Sequence, residues 1–127
     1  MPVDRIDHVN IRTSDIAATA AFFRDVLGLR VGDPPRLDPA RFQWVYAPDG
    51  AAVVHVTIDP EAPPPGAAEF TGGLDHAAFL CSDLAEMQAR LDRAGATYET
   101  KGRPDGTLTQ LFVTEPNGVL LELNFPA

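Results

Sequence analysis

The chain has 127 residues, of which 45% are hydrophobic, and it carries a formal net charge of −8 at pH 7. This length and composition predict one globular domain that buries roughly two-thirds of its unfolded surface. The acidic balance argues against nucleic acid and anionic membranes as partners, because both need a basic surface that displaces counterions.

The sequence indicates neither a transmembrane segment nor a signal peptide. It has no apolar run of about 18 residues, and its first residues lack the charged and apolar regions of a secretory signal. The one cysteine, Cys81, cannot form an internal disulfide, which agrees with a reducing compartment. We therefore expect a cytoplasmic protein.

The first elements in chain order are a strand and a helix. Apolar and polar residues alternate over 5–11, which predicts a strand. Ser14 and Asp15 then offer an N-cap to an amphipathic helix near 15–27, and Gly28 supplies its end.

Three further strands complete this half of the chain. A short strand is predicted at 29–31, and two longer strands over 41–47 and 52–58 flank the turn at 48–50. In that turn, Pro-Asp-Gly, proline presets one backbone dihedral and glycine tolerates a positive one. The following segment, about 60–72, is rich in Pro, Ala and Gly and is interpreted as a linker.

After the linker the pattern of the first half returns. A strand at 73–79, a helix over about 83–94 and a final strand at 118–125 have counterparts in the first half. Four pairs of residues share one offset of 68: His8 and His76, Ser14 and Ser82, Pro48 and Pro116, Gly50 and Gly118. Because chance rarely keeps one offset across a strand, a cap and a turn, we infer two copies of a strand-helix-strand-strand-strand module. Module 1 spans about 1–59 and module 2 about 73–127.

The final strand carries one carboxylate, Glu122, in an apolar run. Alternation puts Leu121 and Leu123 on one face and Glu122 with Asn124 on the other. Burying an unpaired carboxylate costs several kcal/mol, so Glu122 needs a partner or a polar cavity. A solvated sheet face is the simpler alternative for an isolated Glu.

The orientation of His55 depends on one residue of register. If the first module has one extra residue after its turn, His55 lies on the face that Glu122 occupies; if the offset of 68 continues, Val54 matches Glu122 instead and His55 points at the helix. We predict the first register because it leaves no imidazole against an apolar layer, although a bulge would change it.

All three histidines fall on predicted strands, and together with Glu122 they have the composition of a divalent metal site. We expect His8, His55, His76 and Glu122 to converge on one cavity. Imidazole and carboxylate suit Zn, Ni, Fe, Mn or Co, and two histidines with one carboxylate also describe a non-heme Fe(II) facial triad.

These residues resemble those of the vicinal oxygen chelate superfamily, the glyoxalase/bleomycin resistance/dioxygenase proteins. The resemblance lies in the Asp-His pair that opens each half, the Glu-Pro-Asn-Gly turn at 115–118 and the Leu-Glu-Leu at 121–123. It covers essentially the whole chain. It implies an α+β fold in which two tandem βαβββ modules form one domain over 1–127, with sheets that curve around a metal cavity, usually in a homodimer.

The resemblance also implies roles for individual residues. His8, His76 and Glu122 match family positions that bind one divalent metal ion. His55 stands where glyoxalases have a metal-binding Glu, epimerases a Gln and extradiol dioxygenases a second-sphere acid/base His. His55 or Glu122 is then the catalytic base, or a plain ligand, while the metal chelates two adjacent oxygens of a small-molecule substrate.

Within the superfamily we expect lyase or isomerase chemistry slightly ahead of ring cleavage. Extradiol dioxygenases carry a catalytic tyrosine on the strand before the final turn, where this chain has Phe112. The alternatives are an extradiol-type dioxygenase and a non-catalytic, bleomycin-resistance-like drug-binding protein.

Aromatic residues suggest the kind of substrate. Phe42, Trp44 and Tyr46 share one strand face, and the module offset adds Phe112 from the second half. These rings are predicted to line the cavity and to favour a planar or partly apolar substrate, or, as an equal alternative, to form part of the core.

Overall fold

The computed structural model describes residues 2–67 and 72–127, which form two compact units, Met1–Pro64 and Pro65–Ala127. Residues 68–71, within the predicted linker, lie outside the described residues. Within the described ranges no helix has the length and apolarity needed to cross a membrane.

The first unit is a four-stranded sheet with one helix. Its elements are β1 (Val9–Thr13), α1 (Ile16–Ala21), β2 (Arg30–Gly32), β3 (Phe42–Tyr46) and β4 (Ala52–Ile58). The strand order is β1-β4-β3-β2, with β1 parallel to β4 and the other pairs antiparallel.

The helix of this unit begins as predicted and ends with a wider turn. The Asp15 carboxylate accepts a hydrogen bond from the Ala18 N–H, which satisfies one of the free donors of the first turn. A π-helical turn, Phe22–Val26, continues α1 up to Gly28, whose φ of 77° only glycine adopts readily.

The second unit repeats this arrangement. Its elements are β5 (His76–Leu80), α2 (Leu84–Arg93), β6 (Tyr98–Gly102), β7 (Leu108–Thr114) and β8 (Leu120–Pro126). The strand order β5-β8-β7-β6 matches that of the first unit, again with the first and last strands parallel. The α+β fold of two βαβββ units that the sequence predicts is therefore confirmed.

One face of each sheet is buried. Val45, Val54 and Val56 are buried in the first unit, as is Phe23 from the π-helical turn. In the second unit Leu91 of α2 is buried. The buried residues of its last two strands are Leu111, Val113, Leu121, Leu123 and Phe125. Alternation therefore directs the intervening polar and aromatic residues to the opposite face of each sheet.

A β-bulge distinguishes the two units. In the first unit Val45 pairs with Val54 and Tyr46 with Ala52, so Val53 is an extra residue without a cross-strand partner. The corresponding pairs β7 and β8 run without interruption. A bulge shifts every later side chain by one position relative to an unbulged strand.

The bulge places His55 at the position of Glu122. His55 pairs with Asn10 of β1, and Glu122 pairs with Ala78 of β5, which lies 68 residues after Asn10. The register that puts His55 on the same face as Glu122 is therefore the one observed, and the bulge produces it.

The start of the first strand was predicted too early. The ladder between β1 and β4 begins with Val9 and Val54, so the predicted strand residues 5–8 lie outside it and His8 directly precedes β1. The position opposite His8 would be the bulged Val53, whose backbone is turned out of the regular ladder. His76, by contrast, is the first residue of β5 and pairs with Leu120.

Candidate metal and substrate site

His76 and Glu122 form a close pair on neighbouring strands of the second unit. The His76 Nε2 atom lies 2.9 Å from the Glu122 Oε2 atom. Parallel pairing of β5 and β8 brings the two side chains to the same face, two positions apart along the ladder. The Glu122 side chain is only 12% exposed, so its charge is held in a half-buried setting that requires polar partners.

Glu122 has a second partner on β7. The side-chain amide of Gln110 donates hydrogen bonds to Glu122 Oε1 and, at 3.1 Å, to Asn124 Oδ1. Both carboxylate oxygens of Glu122 are thus engaged, one by Gln110 and one by His76. This network fixes the carboxylate in one orientation.

Each unit places an aspartate against the Nδ1 atom of its first histidine. Nδ1 of His76 lies 2.7 Å from Asp75 Oδ2, and Nδ1 of His8 lies 2.6 Å from Asp7 Oδ2. A carboxylate can only accept here, so Nδ1 carries the proton in this contact, and Nε2 is the ring nitrogen that points away from the aspartate. Metal-binding histidines are commonly oriented in this way.

In the first unit His55 lies in a stack of three rings. Its ring centroid is 3.6 Å from that of His8 and 4.2 Å from that of Trp44, with interplanar angles of 13° and 11°. Trp44 is the direct cross-strand partner of His55. Tyr46 follows on the same strand face, with its ring centroid 6.4 Å from that of Trp44 and the Arg30 guanidinium above its own ring.

The pKa values of His55 and His76 shift in opposite directions. Withdrawal from water lowers the pKa of His55, and the neighbouring His8 adds to that effect. The hydrogen bond with Asp75 raises the pKa of His76, and the charge of Glu122 adds to it. Its surroundings therefore favour the neutral form of His55, whereas those of His76 favour the charged form.

A cavity of about 530 Å³ opens beside the His76–Glu122 pair in the second unit. Its walls include Phe112, the direct cross-strand partner of Glu122, and Lys101 of β6. The remaining lining residues are Asp75, Thr97, Tyr98, Glu99, Thr114 and Leu120. The cavity is wide enough for a small organic molecule that contacts both the carboxylate and an aromatic wall.

The spacing of the His76 and Glu122 donor atoms fits two ligands of one divalent metal ion. Two ligands at about 2.0–2.2 Å from one ion and at a right angle to each other are about 3 Å apart, close to the His76 to Glu122 distance of 2.9 Å. Imidazole and carboxylate are the donor types expected for Zn and its neighbours. Among residues 2–67 and 72–127 no group of three or more His, Cys, Asp or Glu side chains is arranged to hold an ion.

The structure therefore assembles the predicted ligands as two pairs, His8 with His55 in the first unit and His76 with Glu122 in the second. Their convergence into one set of four stays a prediction. The predicted substrate residues Trp44 and Phe112 lie directly beside these pairs, on the same sheet faces. Of the other two, Tyr46 lies next to Trp44, and Phe42 is a half-buried residue at the start of β3.

Sequence reasoning missed the partners that orient the candidate ligands. Asp7 and Asp75 directly precede His8 and His76, and the two aspartates are 68 residues apart, as the two histidines are. The repeat therefore contained a signal for them. Gln110 gave no comparable signal, because its contact with Glu122 depends on the pairing of β7 with β8.

Residues 5–123 of the chain match the family model of the Glyoxalase/Bleomycin resistance protein/Dioxygenase superfamily. The chain is 28% identical over 132 residues to YqjC of Bacillus subtilis (strain 168), described as uncharacterized, and the match covers 98% of this chain and 94% of that protein.

Solved structures share the fold at lower identity. A glyoxalase/dioxygenase from Nostoc punctiforme superposes with a TM-score of 0.79 at 16% identity, covering 97% of this chain and 91% of that chain. A lactoylglutathione lyase from Agrobacterium tumefaciens gives a TM-score of 0.68 at 19% identity, covering 98% and 96%.

Proposed function

The chain belongs to the Glyoxalase/Bleomycin resistance protein/Dioxygenase superfamily, and from that premise we propose that it is a metal-dependent enzyme acting on a small molecule with two adjacent oxygens. Lyase or isomerase chemistry is favoured over ring-cleaving oxygenation, since the wall beside Glu122 is Phe112, which has no hydroxyl to take part in proton transfer. A homodimer, a single domain over 1–127 and a cytoplasmic location stay predictions.

One observation carries this proposal. The His76 and Glu122 donor atoms lie 2.9 Å apart at the edge of the 530 Å³ cavity, with each side chain held by a further partner. The pair borders an open cavity, and Asp75 accepts from Nδ1 of His76, which is the orientation common among metal-binding histidines.

The roles proposed for the chain's residues follow from their contacts. His76 and Glu122 bind the ion, and His8 and His55 are the candidate donors of the first unit. Asp75 orients the His76 ring and Gln110 orients the Glu122 carboxylate. A bound divalent ion would supply Lewis-acid stabilisation of negative charge that develops on a substrate oxygen.

Of the two candidate bases, His55 is the one whose lowered pKa keeps Nε2 or Nδ1 unprotonated at pH 7. Glu122 takes that role only if a substrate displaces one of its two partners. Trp44, stacked on the His55 ring, excludes water from one of its faces.

Metal analysis tests the proposal. Protein purified without chelator should contain a divalent ion, or its thermal stability should rise when Zn, Ni, Mn or Fe(II) is added. An ion at one hundred times its Kd stabilises the fold by about 2.7 kcal/mol. We expect His76→Ala and Glu122→Ala to lose this response and Glu99→Ala, which removes a carboxylate elsewhere in the cavity wall, to keep it. A wild-type protein with no bound ion and no response to any of the four metals would refute the enzyme assignment.

Turnover divides the enzymatic possibilities. Consumption of a hemithioacetal without oxygen uptake would support lyase chemistry. Oxygen uptake with catechols would instead support a dioxygenase.

A non-catalytic binding protein is the second candidate, and one contact favours it. Both oxygens of Glu122 already have protein partners, so the carboxylate is satisfied without an ion. The acidic net charge of −8 would suit a cationic drug. Tight binding of bleomycin to metal-free protein would support this candidate.

A further inference from the structure

Lys101 is the single lysine of the chain, and it lines the cavity beside the candidate metal ligands. Its Nζ atom lies 5.1 Å from the centroid of the Phe112 ring, within the range of a cation–π contact. This contact directs the ammonium group of an otherwise flexible side chain over the cavity wall.

The strand register sets the order of groups across the cavity face. Glu122 pairs with Phe112 on β7, and Phe112 pairs with Glu99 on β6, one strand further away. Lys101 lies two residues after Glu99 on that same face. Because neighbouring strands are about 4.8 Å apart, the backbones of Glu122 and Lys101 are separated by at least about 10 Å, and the Phe112 strand lies between them.

The charges of the cavity leave Lys101 able to take a new partner. Asp75 and Glu122 are both held by His76. Glu99 lies 3.7 Å from Lys101 Nζ, but the two side chains are 74% and 62% exposed, and such surface pairs contribute little. An anionic group of a ligand can therefore replace Glu99 at small cost.

We propose that Lys101 selects substrates that carry a carboxylate at the end remote from their two adjacent oxygens, joined by an apolar ring or short chain that packs on Phe112. The placement of the two oxygens at His76 and Glu122 rests on the function proposed above. The carboxylate preference rests on Lys101 and Phe112 alone.

Two probes that differ in the charge of one group test this preference. The first is 3,4-dihydroxybenzoate, which has two adjacent oxygens at one end and a carboxylate at the other, and the second is its uncharged methyl ester. With zinc-loaded protein and calorimetry, we expect the acid to bind about tenfold more tightly than the ester. Lys101→Gln should abolish that preference without weakening the ester, and Lys101→Arg should retain it.

Arg103→Gln provides the matched control, since it removes a nearby cation that does not line the cavity. It should leave the preference unchanged. Glu99→Gln should strengthen binding of the acid, because it removes the competing carboxylate. Equal binding of acid and ester by the wild type, or a preference that survives in Lys101→Gln, would overturn the proposal.

A second readout separates this proposal from the proposed metal site. Reductive methylation with ¹³C labels only the terminal amine and Lys101, so the lysine gives one assignable NMR signal. In metal-free protein, millimolar 3,4-dihydroxybenzoate should shift this signal and the ester should not. If the protein does not bind zinc but the acid alone shifts the lysine signal, the metal site is refuted and the role of Lys101 is supported. If the protein binds zinc but the lysine signal does not shift, the role of Lys101 is refuted and the metal site is supported.

Discussion

The two units have the same strand order and the same Asp-His pair, yet they surround their candidate ligands with different chemistry. The first unit stacks His55 between His8 and Trp44, whereas the second connects Glu122 to polar side chains. Equivalent backbone positions thus hold an imidazole in one unit and a carboxylate in the other. The shared fold therefore sets where His55 and Glu122 lie, and side chains of the neighbouring strands set the chemical environment of each.

The turns before the last strands show a similar contrast. In the first unit the exposed Asp49 carboxylate accepts from the Ala51 N–H at 2.9 Å. In the second unit Glu115, only 2% exposed, accepts from the N–H groups of Asn117 and Val119, and burial raises its pKa. The corresponding N–H groups, those of Ala51 and Val119, therefore donate to an exposed carboxylate in the first unit and to a buried one in the second.

The largest test of this comparison is insertion of one alanine between Val54 and His55. With the pairing of Val54 retained, the insertion should turn His55 toward the helix and expose Val56, because a shift of one residue exchanges the faces of a strand. We expect a loss of about 3–5 kcal/mol in the free energy of unfolding, measured by urea denaturation. Emission from Trp44, the only tryptophan, should change as its stacking partner leaves.

Deletion of Val53 is the control for this insertion, since it makes the pairs of Tyr46 with Ala52 and of Val45 with Val54 consecutive and keeps His55 opposite Trp44. It should cost much less than the insertion. If the insertion leaves both stability and Trp44 emission as in the wild type, the register of β4 does not orient His55.

A smaller effect is expected from the turn carboxylates. Glu115→Ala leaves two N–H groups and the Asn117 amide without their acceptor in a buried site, which should cost about 1–3 kcal/mol. Asp49→Ala exposes its donor to water and should cost about 0.5–1 kcal/mol. Equal losses in urea denaturation of the two variants would contradict the difference between the turns.

The smallest expected effect is a pair of opposite pH dependences in metal-free protein. The folded-state pKa of His76 is raised, so its stabilising contribution is present below about pH 6.5 and is lost as the pH rises through the folded value. The folded-state pKa of His55 is lowered, so its contribution is present above about pH 6.5 and is lost as the pH falls through the folded value.

NMR titration of the two imidazole rings measures these shifts directly. We expect the midpoint of His76 above, and that of His55 below, the usual value of about 6.5. His76→Gln and His55→Gln should each remove the pH dependence that the replaced histidine contributes to the free energy of unfolding. Coincident midpoints would show that the two environments are electrostatically equivalent.

Local pattern predicted much of the fold. Strand β4 was predicted with its observed bounds, 52–58, and Asp15 and Asp83 both cap helices. These features depend on neighbours in sequence: alternating burial and a carboxylate that reaches an N–H three residues away. The repeat added the correspondence between the elements of the two halves, which no single element reveals.

Features that depend on contacts between strands were harder to predict. Nothing in the run Ala52-Val53-Val54 marks Val53 as the bulged residue, so the starting point of β1 was misplaced. The hydrogen bond from Gln110 to Glu122 and the stacking of His55 on Trp44 require the register of two strands to be known. The sequence therefore placed the candidate ligands on or next to their strands, but it did not reveal the contacts that orient them.

The parallel pairing of β5 with β8 has a consequence for how the second unit folds. Helix α2 and the β7–β8 hairpin join residues that are near in sequence, whereas the β5–β8 ladder that unites His76 with Glu122 encloses the rest of the unit. Closing a long loop costs more conformational entropy, and non-local pairing forms slowly. We expect the His76–Glu122 pair to assemble late in folding, once the chain has been completed through β8.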